Sequence, residues 1–454
     1  MSNPSSNQNQ QTESEGRLSP HVIVIPQTEY EIRLRSVEQS TKKLPNLLNK
    51  TSGKRSCSIF RVPQNLMKIH PEAFKPQIVS IGPYHHGRKN LQTIQEHKRR
   101  FLGIVLARTQ ERGVSIDDFF KAIVLKEKKI RESYSETLKY NCYDLVEMMV
   151  LDGCFIMELL CVVGGRLFHN DHTEDPIFSL RWILYTLMRD FIILENQIPL
   201  FVLQTLFEIS VPDSPSTLKE LIVGFFKYTM PDHTVNNIQN SNLDDEHLLS
   251  LYRSSFIPTS KGEATGSRDY QSVRPIKKLL GAGIKIKIKK HAESFLDIVF
   301  KPNGVLEIPS SPSDEFSSKF LLNSVAFEQC YYYCSIHFTS YVTFMGNLIN
   351  TSFDAGYLLD RGIICSGTDE DVAEFFRELK DDLFYDVGKS YLAKVIEDVN
   401  KYYRNVWNVT LAGCMYNYFG SLWVFVSAAA AFFLLLLTVT QTFFAVFAYV
   451  KPPN

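Results

Sequence analysis

Hydrophobic positions recur at three- and four-residue spacing through residues 91–112, 116–131, 143–163 and 180–195, which predicts four helices. Shorter helices are expected at 201–208 and 218–228, and helical spacing returns over 316–349, 369–383 and 390–407. Between residues 57 and 87 the pattern differs. The string CSIFRVPQNLMKIHPEAFKPQIVSIGPYHHG has short apolar runs broken by Pro63, Pro71, Pro76 and Pro83, which predicts extended and turn structure packed on something else. Two pieces read as strands: IKIKIKK at 284–290 alternates with period two, and SFLDIVFKPNGVLEIP reads as a hairpin around Asn303 and Gly304. Residues 231–273 are polar with little periodicity beyond Leu248 to Tyr252, as in a long insertion. The expected fold is mainly α (α+β): a large irregular helical domain over 56–410 with a small antiparallel β-sheet, after a disordered or weakly ordered tail at 1–55.

The C-terminal pattern changes the picture. Between Arg404 and Lys451 lie 46 residues without a charged side chain, and from Leu422 to Val439 only Ser427 and Thr438 interrupt an apolar run. About 20 apolar residues cross a bilayer core. The eleven Leu, Val and Phe side chains of that run, Phe433 and Leu436 among them, together favour insertion by roughly 3–7 kcal/mol. Trp423 and Tyr449 bracket the segment as interfacial aromatics do, and hydroxyls inside it can bond back to the helix. A single transmembrane helix at 420–450 is expected, with the lipid bilayer as its partner. The first 20 residues lack the basic start and apolar stretch of a secretory signal, so the arrangement reads as tail-anchored. Lys401 and Arg404 precede the helix and only Lys451 follows it, which places residues 1–410 in the cytosol and leaves the acceptor patterns at Asn49, Asn350 and Asn408 unmodified. The membrane itself is the plasma membrane or an endomembrane.

Composition excludes several classes. In 454 residues, 44% hydrophobic and 22% charged content rules out a wholly disordered or collagen-like chain. The 49 basic and 49 acidic residues cancel, so no nucleic-acid partner is expected from the global field. Charge is uneven, however: residues 61–131 carry 15 Lys/Arg against 6 Asp/Glu, and Lys277, Lys278, Lys285, Lys287, Lys289 and Lys290 form a second basic group. The second group reads either as a surface for an anionic leaflet or as a strand edge that lysine keeps from pairing. The eight cysteines include no Cys-x-x-Cys pair and read as reduced thiols; Cys154 falls on a buried stripe with Leu151 and Leu159.

Candidate chemistry is sparse. Gly82 and Gly87 have the spacing of a phosphate loop, but Arg88 and Lys89 stand where a Lys-Ser/Thr pair is needed, and Pro83 removes a backbone donor. Gly281 and Gly283 lack the third glycine of a dinucleotide fingerprint. No cofactor is expected. His169, His172, Glu174 and Asp175 read as loop polarity or as metal ligands. Cys330, Cys334 and His337, at i, i+4 and i+7 of one helix, read as a core stripe or as part of a zinc site. Glu195, Asn196 and Gln197 sit between two apolar runs and must find buried partners; they are expected to cap a helix end before Pro199. Thr368 is a candidate N-cap for a helix opening on Asp369, Glu370 and Asp371.

The string from Cys57 to Leu102 resembles the opening of a plant family known as domain of unknown function 247 (uncharacterised protein family 0481). Later blocks agree: MMVLDGCFIMELL, RDFIILENQIPLFVL, LLGAGIKIKI, LLNSVAFEQC and SYVTFMGNLINTSFDAGYLLDRGII. The similarity covers residues 57–450, with Leu422-Trp423 in place of the usual Pro-Trp. The resemblance implies one C-terminal membrane helix and no established enzymatic activity. Grass members implicated in pollen-side self-incompatibility suggest recognition, a role that belongs to those members. The family pattern singles out Pro83, Tyr84, His85, Asp152, Gly153, Glu195, Asn196, Gln197, Pro199, Glu328 and Gln329 as structural determinants, and offers no catalytic residues. The function expected here is non-enzymatic recognition or scaffolding through an unidentified protein partner. The alternative is a membrane-bound hydrolase or transferase built on a polar cluster of His85 (or His86), Glu195, Asn196, Gln197 and Glu328.

Overall fold

A helix with no polar face must be surrounded, and the Cys142–Leu159 helix is: in the computed structural model every residue from Met148 to Leu159 is buried. Asn141 caps its start by accepting the Asp144 N–H, and a π turn, Leu160–Gly164, continues it. Four elements enclose it: the Gln95–Gln110, Ile116–Val124 and Leu200–Ser210 helices, and the Leu218–Phe226 helix packed on the π turn. That last crossing is backbone on backbone. A methyl group on Gly164 would collide with the Leu221 carbonyl, and one on Gly224 with the carbonyl of Gly164.

The structure describes residues 27–43, 45, 48, 50–165, 175–212, 214, 216–229, 247–258, 272–311, 314–407, 410 and 422–450. The chain divides into two units, Met1–Asn46 and Leu47–Asn454. Within the first, Gln27–Thr41 is a helix with no buried residue. Of the polar stretch 231–273, residues 248–254 form a helix whose Leu248, Leu249, Leu251 and Tyr252 join the core.

The sheet has three strands: β1 (Lys285–Ile288), β2 (Val299–Lys301) and β3 (Val305–Ile308), in the order β1-β3-β2. β2 and β3 form the expected hairpin, with Gly304 at φ +78°. The expectation of an antiparallel sheet is corrected in one respect: β1 pairs parallel with β3, Ile286 opposite Leu306. Apolar β3 takes the buried centre. β1 takes the edge, where Lys285 and Lys287 remain exposed and discourage further pairing.

The helical spacing over 316–349 is interrupted: one helix ends at Cys330 and the next begins at His337. Cys330, Cys334 and His337 therefore do not share one helix face. Among the described residues, no three His, Cys, Asp or Glu side chains are grouped as a metal ion requires. His169, His172, Glu174, Asn49, Asn408 and Cys414 lie outside the described residues.

The Leu422–Val450 helix contains Leu422, Trp423 and Tyr449. Its stretch Val426–Phe447, 22 residues and about 33 Å at the helical rise, has no buried share among the described residues; Phe433 and Leu436 are exposed. Thr438, Thr440 and Thr442 each donate to the carbonyl four residues earlier, so the hydroxyls are satisfied inside the helix.

Cys154 has no exposed surface, and burial pushes its thiol up to about 12, whereas Cys365 is exposed. A thiol reagent applied to the folded protein at neutral pH should modify Cys365 within minutes and leave Cys154 unmodified until denaturant is added. Equal labelling of the two, read by peptide mass, would contradict this packing.

Candidate functional site

Residues 75–88 form neither helix nor strand, yet Val79 to His85 are buried. A buried extended backbone without a sheet neighbour must find other partners for its N–H and C=O groups. Here buried side chains replace the missing strand. Asp190 accepts the N–H groups of Gln77, Ile78 and Val79 at 2.9–3.0 Å. Asn196 accepts the Ile81 N–H at 2.7 Å and donates to the carbonyls of Val79 and Asp190. Asp152 accepts the Gly82 N–H at 2.7 Å, and Lys98, without exposed surface, donates at 2.5 Å to both the Ser80 carbonyl and the other Asp152 oxygen. Gly82 is at φ +71°, and a Cβ there would collide with the Gln197 carbonyl. That carbonyl receives the Tyr134 hydroxyl at 3.0 Å.

The Glu195–Gln197 turn continues the same arrangement. Glu195 accepts the Val62 N–H at 2.9 Å and pairs with Arg61 at 2.9 Å; Arg61 also reaches Glu136 and lies 4.1 Å over the Tyr84 ring. Gln197 donates to the carbonyls of Phe191 and Ile193, closing the end of the Arg181–Phe191 helix, and accepts from Leu249 N–H. His85 is buried beside this turn, its Nε2 3.5 Å from a Glu195 oxygen that Arg61 already holds. Burial, reinforced by Arg88 and Arg61, pushes the imidazole down to about 3, so it is neutral at physiological pH. Burial pushes the Asp190 carboxyl up to about 6, against the three backbone N–H groups that favour its ionised form.

Four of the five cluster residues thus come together: His85, Glu195, Asn196 and Gln197. Glu328 belongs to a second staple. It pairs with buried Arg253 at 3.0 Å and accepts the N–H groups of Phe338 and Thr339, capping the His337–Leu348 helix. Gln329 beside it exchanges two hydrogen bonds with the Phe384 backbone. The cavities among the described residues include ones of about 360, 380 and 420 Å³. Glu328 lines the 420 Å³ cavity and His86 the 360 Å³ cavity; the Glu195–Gln197 turn and His85 line none of the three. Chemically, the arrangement binds backbone.

Lys98, Asp190 and Arg253 were not among the candidates read from sequence. Lys98 stands in the charged run EHKRR, where nothing marks it as internal. The basic excess over 61–131 finds much of its counter-charge inside the fold. Besides Arg61 and Lys98, Arg100 pairs with Asp175 and Arg108 with buried Glu158, both outside that run. Thr368 does cap its helix, accepting the Asp371 N–H.

Comparison with known proteins adds three findings. A family model, DUF247, described as a plant protein of unknown function, matches residues 59–437. The chain is 38% identical over 442 residues to a UPF0481 protein of Arabidopsis thaliana, an alignment covering 92% of each chain. It is 24% identical over 498 residues to a putative UPF0481 protein of the same plant, covering 86% of this chain and 90% of the relative. No solved structure matches it.

Proposed function

The chain belongs to the DUF247 family of plant proteins of unknown function, and on that premise we propose that it is a single-pass, tail-anchored membrane protein whose helical domain works by recognition or scaffolding through protein contacts. The observation that carries this reading is the uncovered Val426–Phe447 helix. Left in water, so long an apolar surface would drive association; in a bilayer it is at home. The engagement of Glu195, Asn196 and Gln197 with backbone partners supports recognition over catalysis at that turn. Tyr332 and Phe384, more than four-fifths exposed, are the kind of aromatic surface that anchors a protein partner. The charge order around the helix favours the cytosolic side for residues 1–410.

Fractionation of plant membranes tests the anchor and the side together. Full-length protein should stay in the pellet at alkaline pH, a chain lacking residues 420–454 should move to the supernatant, and an N-glycan-removing enzyme should leave mobility unchanged. Stripping of the intact chain by alkaline carbonate would exclude the spanning helix. A mobility shift from modification at any of the three acceptor patterns, exposed Asn350 among them, would put the domain on the opposite side. The recognition half is tested by cross-linking in native membranes. A protein partner should be captured by the native chain and lost on replacing Tyr332 and Phe384 by serine. Ester or amide turnover by the native protein, abolished in folded Glu195→Gln, would favour a hydrolase instead.

A further inference from the structure

The 380 Å³ cavity has a different character from the polar frame. Its wall is aromatic: Tyr252, Phe256, Phe316 and Phe320 pack edge-on and tilted with centroids 4.6–5.9 Å apart, and Phe375 faces it from the Asp369–Asp381 helix. Natural cores close such spaces, since interiors hold few voids larger than a water molecule. This one stays partly open, and its volume lies within the range of small-molecule sites, about 300–1,000 Å³.

Two further observations say what it would accept. Asp371, Glu374 and Glu378, at i, i+3 and i+7 of the same helix, line the opening, and no Lys or Arg is among the described lining residues. The helix dipole accounts for Asp371 in the first turn. It does not account for Glu374 or Glu378, which lie beyond the reach of the N-terminal partial charge. Arg377 approaches Glu374 only to 3.9 Å. His70 also lines the cavity; its Nε2 is buried with no hydrogen-bond partner among the described residues, and its ring lies 5.2 Å from that of Phe375. An aromatic hollow and a carboxylate rim describe one kind of guest.

We propose that this cavity is a binding site for a small organic cation with an apolar, ring-sized body. The body lies on the Phe256–Phe320 wall. The ammonium sits at the rim, attracted by Asp371, Glu374 and Glu378 and by the ring faces.

Isothermal titration of the full chain in nonionic detergent, against blank micelles, tests this with three probes sharing one ring system: tryptamine (cation), tryptophol (neutral) and indole-3-propionate (anion). Tryptamine should bind at least tenfold more tightly than tryptophol, and indole-3-propionate should bind more weakly than either. The double variant Glu374→Gln/Glu378→Gln changes only exposed side chains and should keep its melting temperature while losing the tenfold preference. Leu321→Trp, which fills the hollow, should abolish binding of all three. If that variant fails to fold, the glutamine pair decides. Equal affinity for tryptamine and tryptophol, survival of the preference in the glutamine pair, or no heat above blank for any probe would each overturn the proposal.

Discussion

Replacing Asp152 by alanine is expected to cost about 3–5 kcal/mol, the usual consequence of leaving one member of a buried ion pair without its partner. Lys98 would keep a full charge with no exposed surface, and the Gly82 N–H would lose its carboxylate acceptor. Against a typical domain stability of about 5–15 kcal/mol, that loss unfolds a large share of molecules on mild heating. The pair is shielded from solvent, so the loss should be nearly the same in low salt and in 1 M salt. The double variant Lys98→Met/Asp152→Leu should recover part of it, because it removes the stranded charge while leaving Gly82 N–H and Ser80 C=O unpaired. Urea midpoints in detergent, followed by circular dichroism, measure all three. A loss below about 1 kcal/mol for Asp152→Ala would mean the extended segment is held by other contacts.

Acidification from pH 7 to 4.5 is expected to remove about 3 kcal/mol of stability before most carboxylates are protonated. Burial pushes His247 down to about 3, as it does His85. His247 Nδ1 accepts the Ser250 N–H at 3.2 Å and its Nε2 meets the Ser58 carbonyl at 3.0 Å, an arrangement that needs the neutral ring. A histidine whose folded pKa lies below its unfolded value of about 6.5 contributes stability that is complete above 6.5 and is lost as pH falls toward 3. At about 1.4 kcal/mol per pH unit each, the two histidines together lose roughly 5 kcal/mol by pH 4.5. Asp190 acts oppositely: its folded carboxyl, raised to about 6, takes a proton that the unfolded chain refuses until about 3.9, and this returns roughly 2 kcal/mol. Urea midpoints at pH 7.5, 6.0 and 5.0 should therefore fall monotonically, and less steeply in His247→Asn. A flat profile across that range would show that the imidazoles are reached by water.

Helical spacing located the Cys142–Leu159 helix, the Thr368 cap marked a helix start, Asn303 and Gly304 marked the hairpin, and the uncharged run after Arg404 marked the membrane-length helix. Each of these rests on interactions within a few residues, so the local order of side chains suffices. The Glu195–Gln197 turn was legible as a place where polar groups need buried partners, though not which partners.

Other features depended on tertiary structure. The helical pattern runs unbroken through residues 331–336, yet the chain breaks there because Glu328 takes the Phe338 and Thr339 N–H groups while Arg253, 75 residues earlier, holds Glu328. β1 pairs parallel with β3, 20 residues along the chain, a partner and direction that the period-two pattern of IKIKIKK does not specify. Lys98, one cation in a charged run, is internal only because Asp152 and the Ser80 carbonyl meet it 54 and 18 residues away. In each case one partner is a backbone group or a side chain far along the chain. Every residue carries a backbone N–H and C=O, so nothing in the order of side chains marks which ones a buried carboxylate will take; only the folded path brings them within reach.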